Sequence, residues 1–310
     1  MSASERPRAA LLQDRDTVVL IDRKQRVYLR TLRRGGRVAV RGLPFPADGL
    51  IGREEGCTVD LGGERFLVLR PTYAQLIPAL PRQAQPIYPK DVGMILLWGD
   101  VRPGDTVVEV GIGAGATTLG LLRAVGPTGR LVSYELREDF ARQTRDNVAR
   151  FHGDAPNWTV RVGDAIADGL LERDVDRIVV DLPEPWTLLP HAATALRAGG
   201  VLSAFVPTAL QVKSLVDALR AHGGFGAVEV LETLARNWHV GPRSLRPEHR
   251  MVAHTGFLVF ARRLSDAIIA RSELTPTDPC SSRNALGRSD AVGSTHDDEG
   301  GDPPEDLDGD

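Results

Sequence analysis

Hydrophobic positions follow two different rhythms along this chain, and the change falls near residue 100. Between residues 14 and about 70, apolar residues recur every second position in short runs: TVVLID (17–22), RVYLR (26–30), GRVAVRG (36–42), CTVDLG (57–62) and ERFLVLR (64–70). Period-two alternation with closely spaced turn signals predicts a small antiparallel β domain, because successive strand side chains point to opposite faces. Pro71, Pro78, Pro81, Pro86 and Pro89 then interrupt regular structure across a linker, with a helix expected over about 90–99.

From Thr106 onward, apolar strands alternate with amphipathic stretches. Strands are expected at TVVEV (106–110), RLVSYE (130–135), WTVRV (158–162), DRIVVDL (176–182) and GVLSAFV (200–206), and helices over 116–125, 138–150, 187–198 and 208–222. Two further strands, near 227–235 and 256–263, follow without a long helix between them and suggest an antiparallel hairpin at the sheet edge. Strand–helix alternation of this kind predicts an α/β fold with a doubly wound, largely parallel, Rossmann-like sheet. The expected organisation is a flexible N-terminus (1–13), a small β domain (14–70), a linker and helix (71–100), a Rossmann-like domain (101–264) and a disordered tail (265–310).

Charge sharpens the picture of the tail. Residues 266–310 carry 12 Asp and Glu against 3 Arg, whereas residues 1–265 carry 29 acidic and 35 basic side chains. A tail this acidic and this poor in apolar residues cannot offset the entropy of ordering. The mildly basic body is compatible with a polyanionic partner without establishing one. No segment approaches 18 consecutive apolar residues, and the first residues lack an apolar run of signal-peptide length. Cys57 and Cys280, too few and too far apart for a disulfide framework or a zinc site, fit a cytoplasmic protein without a metal.

Candidate chemistry gathers at the strand ends. Glu109-Val110-Gly111-Ile112-Gly113-Ala114-Gly115-Ala116 lies where the first Rossmann strand turns into its helix. This is GxGxG rather than the GxGxxG of dinucleotide-binding turns, and an acid opens it. Taken alone, it reads equally well as a tight turn or as a loop for a ligand that carries an amine. Glu135 ends the second strand, where a carboxylate can accept both hydroxyls of an adenosyl ribose. Asp164 and Ala165 follow the third strand, with Asp164 a candidate acceptor for an adenine amino group; alone, Asp164 reads as a surface loop residue. Asp181-Leu182-Pro183-Glu184-Pro185-Trp186 closes the fourth strand with an acid and an aromatic in a rigid turn; in isolation it reads as a helix cap beside a core tryptophan.

Together these segments resemble the tRNA (adenine-58-N1)-methyltransferase family in its actinobacterial and archaeal one-gene form. The resemblance runs from about residue 14 to 263 and is carried by RQAQPIYPKDVG (82–93), EVGIGAGATTL (109–119), GRLVSYELREDFA (129–141), DLPEPW (181–186) and RPEHRMVAHTGFLVFARR (246–263). It implies a class I methyltransferase fold, S-adenosylmethionine as cofactor, the tRNA T-loop as partner and a homotetramer. By the same resemblance Asp181 is the catalytic acid residue, Gln85 to Pro89 border the cofactor or base pocket, and Arg246, His249, Arg250 and His254 lie near the active-site rim. Tyr88 and Trp186 are candidates to stack on a flipped base, or are core aromatics. Ala114 stands where the family often has Ser, Val110 replaces a small residue, and residues 42–52 lack histidines expected there. Other readings are a protein-isoaspartate methyltransferase, whose substrate carboxylate suits Asp181 poorly, a non-catalytic RNA-binding subunit, which would lose the glycine loop and the acid, and a dehydrogenase, disfavoured by GxGxG.

Overall fold

The structure, a computed structural model, describes residues 11–81, 85–241 and 243–269. The expected tail beyond residue 269 and most of the expected flexible N-terminus lie outside the described residues. Six short strands come first: β1 (Thr17–Ile21), β2 (Val27–Thr31), β3 (Arg37–Val40), β4 (Leu43–Pro46), β5 (Thr58–Leu61) and β6 (Glu64–Leu69). They form an antiparallel sheet in the order β2-β1-β6-β5 and a β3-β4 ribbon. Val18, Leu20, Leu32, Val38, Val40, Phe45, Phe66 and Val68 fill a core of their own. β4 went unrecognised in the sequence because LPFP carries two prolines. As the outer member of a two-stranded ribbon it tolerates the missing N–H groups.

A single turn, α1 (Tyr73–Leu76), is closed by a capping box between Thr72 and Gln75, and α2 (Pro89–Trp98) follows with proline at its first position. The large sheet then builds from β7 (Thr106–Val110), α3 (Ala116–Val125), β8 (Arg130–Glu135), α4 (Glu138–Phe151), β9 (Trp158–Val162) and β10 (Val175–Val180). It is completed by α5 (Leu189–Ala195), β11 (Leu196–Val206), α6 (Ala209–His222), β12 (Phe225–Leu231), the hairpin β13 (Trp238–Gly241) and β14 (Ser244–Pro247), β15 (Phe257–Arg263) and the single turn α7 (Asp266–Ile269). Strand order is β12-β15-β11-β10-β7-β8-β9, with β15 antiparallel to both neighbours.

Successive residues of the central strands enter opposite layers, as a pleated strand requires. Val108, Val132, Ile178 and Leu202 pack on the side of α5 and α6, while Val107, Leu131, Val179 and Val201 pack with α2 and α3 on the other. Burial on both faces explains why these strands read as nearly continuous apolar runs. The expected terminal hairpin differs in detail. β12 and β15 do pair antiparallel, but residues 232–256 intervene and carry β13 and β14. Those two strands were missed because Val240, Leu245 and Trp238 are 77%, 71% and 58% exposed, so no core face imposes a readable period. The expected helix over 187–198 stops at Ala195, where Leu196 begins pairing with Val175.

Candidate functional site

Strand order reverses between β7 and β10, and ligands of open α/β sheets bind beyond the strand carboxyl ends at such a point. Gly111 leaves β7 there with φ +83°, and a Cβ on it would lie 2.2 Å from the Asp181 carbonyl oxygen. Only glycine allows the two strand ends this close. Gly115, at φ +85°, opens α3, and its Cβ would meet Thr144 Cγ2 at 2.8 Å. From α4, Thr144 Oγ1 donates to the Gly113 carbonyl at 2.9 Å and Asn147 Nδ2 to that of Ala114 at 2.9 Å. Tyr73 donates its hydroxyl to the Ala116 carbonyl at 2.6 Å. The loop is thus fixed from behind before any ligand arrives.

A cleft of about 380 Å³ lies in front, lined by Val110, Gly111, Tyr134, Glu135, Leu136, Gly163, Asp164, Ala165, Ile166, Leu182, Pro183 and Glu184. Glu135 is 8% exposed; its Oε2 accepts from Ile112 N–H at 3.1 Å and its Oε1 from Arg137 N–H at 3.0 Å. Asp164 Oδ1 accepts from the amides of Ile166 and Ala167, at 2.8 and 3.2 Å, which curls the loop beside the cleft. Leu136 and Ile166, 67% and 39% exposed, offer apolar surface at the mouth. Sequence reading passed over both, although an apolar residue next to a strand-end acid was the available signal.

Asp181 abuts this cleft through its backbone contact with Gly111 but is not one of the residues lining it. Its side chain reaches solvent and makes no hydrogen bond within the described residues. Protein nonetheless crowds around it, and this poor solvation, followed by the nearby Glu135 charge, pushes its pKa up to about 7. Glu109 lies elsewhere than a ligand-facing position. It is 1% exposed behind the loop, accepting from Thr118 Oγ1 at 2.8 Å and Ser133 Oγ at 2.7 Å. Burial chiefly, with the Asp181 and Glu135 charges adding and the two hydroxyl bonds opposing, raises its pKa to about 8. Among the described residues none of these three carboxyl groups has an ion-pair partner. No group of His, Cys, Asp or Glu among the described residues is arranged to hold a metal.

The remaining expected residues are dispersed. Gln85 Nε2 donates to Tyr88 Oη at 2.7 Å on the segment leading into α2, and neither residue lines the cleft. Trp186 is half-buried in the turn after Pro185 and packs against the main core. Arg246 sits on β14 opposite His239, and His249 is exposed just beyond that strand. His254 bridges the Glu232 carboxylate and the Pro207 carbonyl, at 2.7 and 2.8 Å.

A seven-stranded sheet in this order, with β15 reversed, a glycine loop after β7 and an acid closing β8, defines a class I methyltransferase. A family model described as tRNA methyltransferase complex GCD14 subunit matches residues 66–246. A tRNA (adenine(58)-N(1))-methyltransferase TrmI from Thermus thermophilus is 37% identical over 79% of this chain and 96% of its own length. A tRNA (adenine(57)-N(1)/adenine(58)-N(1))-methyltransferase TrmI from Methanocaldococcus jannaschii is 32% identical over 64% of this chain and 79% of its own. The crystal structure of tRNA (m1A58) methyltransferase TrmI from Aquifex aeolicus superposes with TM-score 0.73 at 29% identity, covering 83% of this chain and 100% of that one. The chain belongs to the tRNA (adenine-58-N1)-methyltransferase family.

Proposed function

We propose that the protein transfers a methyl group from S-adenosylmethionine to N1 of adenine-58 in the T-loop of tRNA. The observation that carries this reading is a preformed glycine loop with the strand-end acids Glu135 and Asp181 beside it, in a chain that spans 96% of the Thermus enzyme. The cleft suits the cofactor in size and chemistry. About 380 Å³ is within the range of small-ligand pockets, and the acids complement the positive charges of a sulfonium and an ammonium. Glu135 is assigned to the ribose hydroxyls, Asp164 and Ala165 to the adenine end, and Gly111 to Ala116 to the close backbone approach; Glu109 acts from behind by bracing the loop and β8 through Thr118 and Ser133.

S-adenosylmethionine supplies an already activated methyl group, so the protein's task is alignment and charge stabilisation. Methylation leaves the base cationic. Asp181, accepting from the 6-amino group, opposes the growing positive charge and can take up a proton. Position 58 lies in a folded loop, so its Watson–Crick edge reaches the cleft only after the nucleotide leaves its stack. Tyr88 and Trp186 are assigned to receive the base, and Arg246 and His249 to the rim. The same reading includes a homotetramer, a cytoplasmic location, and a division into a β domain over 14–70 and a catalytic domain over 101–264. No helix among the described residues is long and apolar enough to cross a membrane.

The test is mass spectrometry of nucleosides from unmodified tRNA incubated with the protein and S-adenosylmethionine. One 1-methyladenosine per tRNA, mapped to position 58, is expected. Methylation on another atom, or none by a protein that binds the cofactor, would overturn the assignment.

A further inference from the structure

Residues 23–47 contain seven Arg and one Lys and not a single Asp or Glu. The segment runs through β2 and the β3–β4 ribbon. Two of its charges are paired, Arg26 with Asp22 and Arg41 with Glu64. Arg23, Lys24, Arg30, Arg33, Arg34 and Arg37 form no ion pair among the described residues. The adjacent acids are engaged by backbone instead: Asp14 Oδ1 accepts from Arg34 N–H at 2.7 Å and Asp48 Oδ2 from Gly35 N–H at 2.9 Å. Gly36 N–H donates to the Arg33 carbonyl at 2.8 Å, closing a turn with Gly35 at φ +68°. Arg33 and Arg34 are therefore exposed on a fixed turn without a guanidinium–carboxylate pair.

α4 brings a further arginine to this place. Arg150, in its last turn, donates to Thr31 Oγ1 and lies with its guanidinium 4.9 Å from the Phe151 ring centroid. Partial burial, then the positive charge of Arg33, hold its pKa below the ordinary arginine value. Two neighbouring guanidiniums without a carboxylate between them repel each other. The aromatic face, the hydroxyl and the negative end of the helix keep Arg150 in position despite that repulsion. Such a pair suits an anion with several acceptor oxygens. The same helix holds the glycine loop through Thr144 and Asn147, and Arg150 lies only roughly 5 Å further along its axis than Asn147.

We propose that the seam between β2, the 33–36 turn and the end of α4 is a phosphodiester-binding surface, centred on Arg33 and Arg150, that grips the RNA backbone away from the methylated nucleotide. That this RNA is tRNA rests on the function proposed above. Contacts of this kind supply affinity and register but no base identity. α4 carries both Arg150 and the residues that hold the glycine loop.

Binding of the full chain to unmodified tRNA across a salt series tests this. The Arg33→Ala, Arg150→Ala double variant is expected to bind about 10- to 100-fold more weakly at low salt, with the slope of log K against log salt reduced by about two. Affinity for S-adenosylmethionine and the methylated position should not change. The Arg33 guanidinium makes no bond among the described residues, so Arg33→Ala alone should lower the slope by about one with stability intact. That keeps the test valid even if Arg150→Ala loosens α4. Lysine at either position should restore most of the slope. Folded variants that bind tRNA with an unchanged slope overturn the proposal. So does displacement of RNA by polyglutamate in wild-type protein as effectively as by an RNA duplex, which would mark a dock for acidic protein segments. Arginine-dependent tRNA binding without any 1-methyladenosine would instead refute the proposed reaction and leave this surface standing.

Discussion

Replacing Asp181 by Asn keeps the size of the side chain and one acceptor oxygen while removing its titration. In the free protein the Asp181 pKa is raised to about 7, first by poor solvation and then by Glu135. Its ionised fraction therefore rises from about one tenth at pH 6 to about nine tenths at pH 8. If the charged carboxylate is the working form, kcat/KM should rise about tenfold over that interval, because this ratio reports ionisations of the free enzyme. Asp181→Asn should be flat across the same range and lower at pH 8 by about 10²–10⁴-fold, the usual effect of losing a positioned proton acceptor. The deficit should shrink by about tenfold at pH 6, where wild type is itself mostly protonated. Glu135→Gln should move the wild-type midpoint downward, since it removes the charge that opposes ionisation of Asp181. The assay is transfer of labelled methyl to tRNA with S-adenosylmethionine well below saturation. A flat wild-type profile with an impaired Asn variant would refute the titration argument, and full activity in Asn would mean that Asp181 only orients the base.

Glu135→Ala should weaken S-adenosylmethionine binding by about 1.5–3 kcal/mol, the scale of hydrogen bonds to a charged group, measured by calorimetric titration. Unchanged affinity would move the ribose contact elsewhere. Gly111→Ala should cost at least about 2 kcal/mol in denaturant unfolding, because φ +83° and a 2.2 Å approach to the Asp181 carbonyl leave no room for a Cβ; wild-type stability would contradict this backbone geometry. Glu109, raised from 4.5 to about 8, holds its proton in the folded state over a range where the unfolded chain has lost it. Its contribution is therefore most favourable below pH 4.5 and is lost as pH rises towards 8, by about 3–5 kcal/mol at most. Glu109→Gln should flatten that decline when unfolding is compared at pH 5 and pH 8. An identical decline in the variant would show that Glu109 is ionised in the folded protein.

Much of the catalytic fold was legible along the chain because its determinants are local. β7 and β8 begin and end where the apolar runs do, since strands buried on both faces must be apolar throughout, and the edge strand β9 and helix α3 also match their expected spans. The glycine loop and Glu135 were likewise readable, because sharp turns and strand-end acids have few residue types to choose from. Side-chain direction and partnership were decided by tertiary structure. Glu109 shares its face with Val107 rather than Val110, so the pleat aims it beneath α3 at Thr118 and Ser133, while the cleft opens in front of Gly111. The near-neutral pKa of Asp181 arises from surroundings that include Glu135, supplied by a strand far away in sequence. β13 and β14 bury no face that could impose a period, and β4 is written in prolines, so only pairing across space defines them. The same holds for Arg150, an unremarkable helix-end residue until the fold sets it beside Thr31 and Arg33. Local pattern specifies which backbone a segment adopts. Which charges meet depends on how distant segments are packed together, and no sequence window contains that.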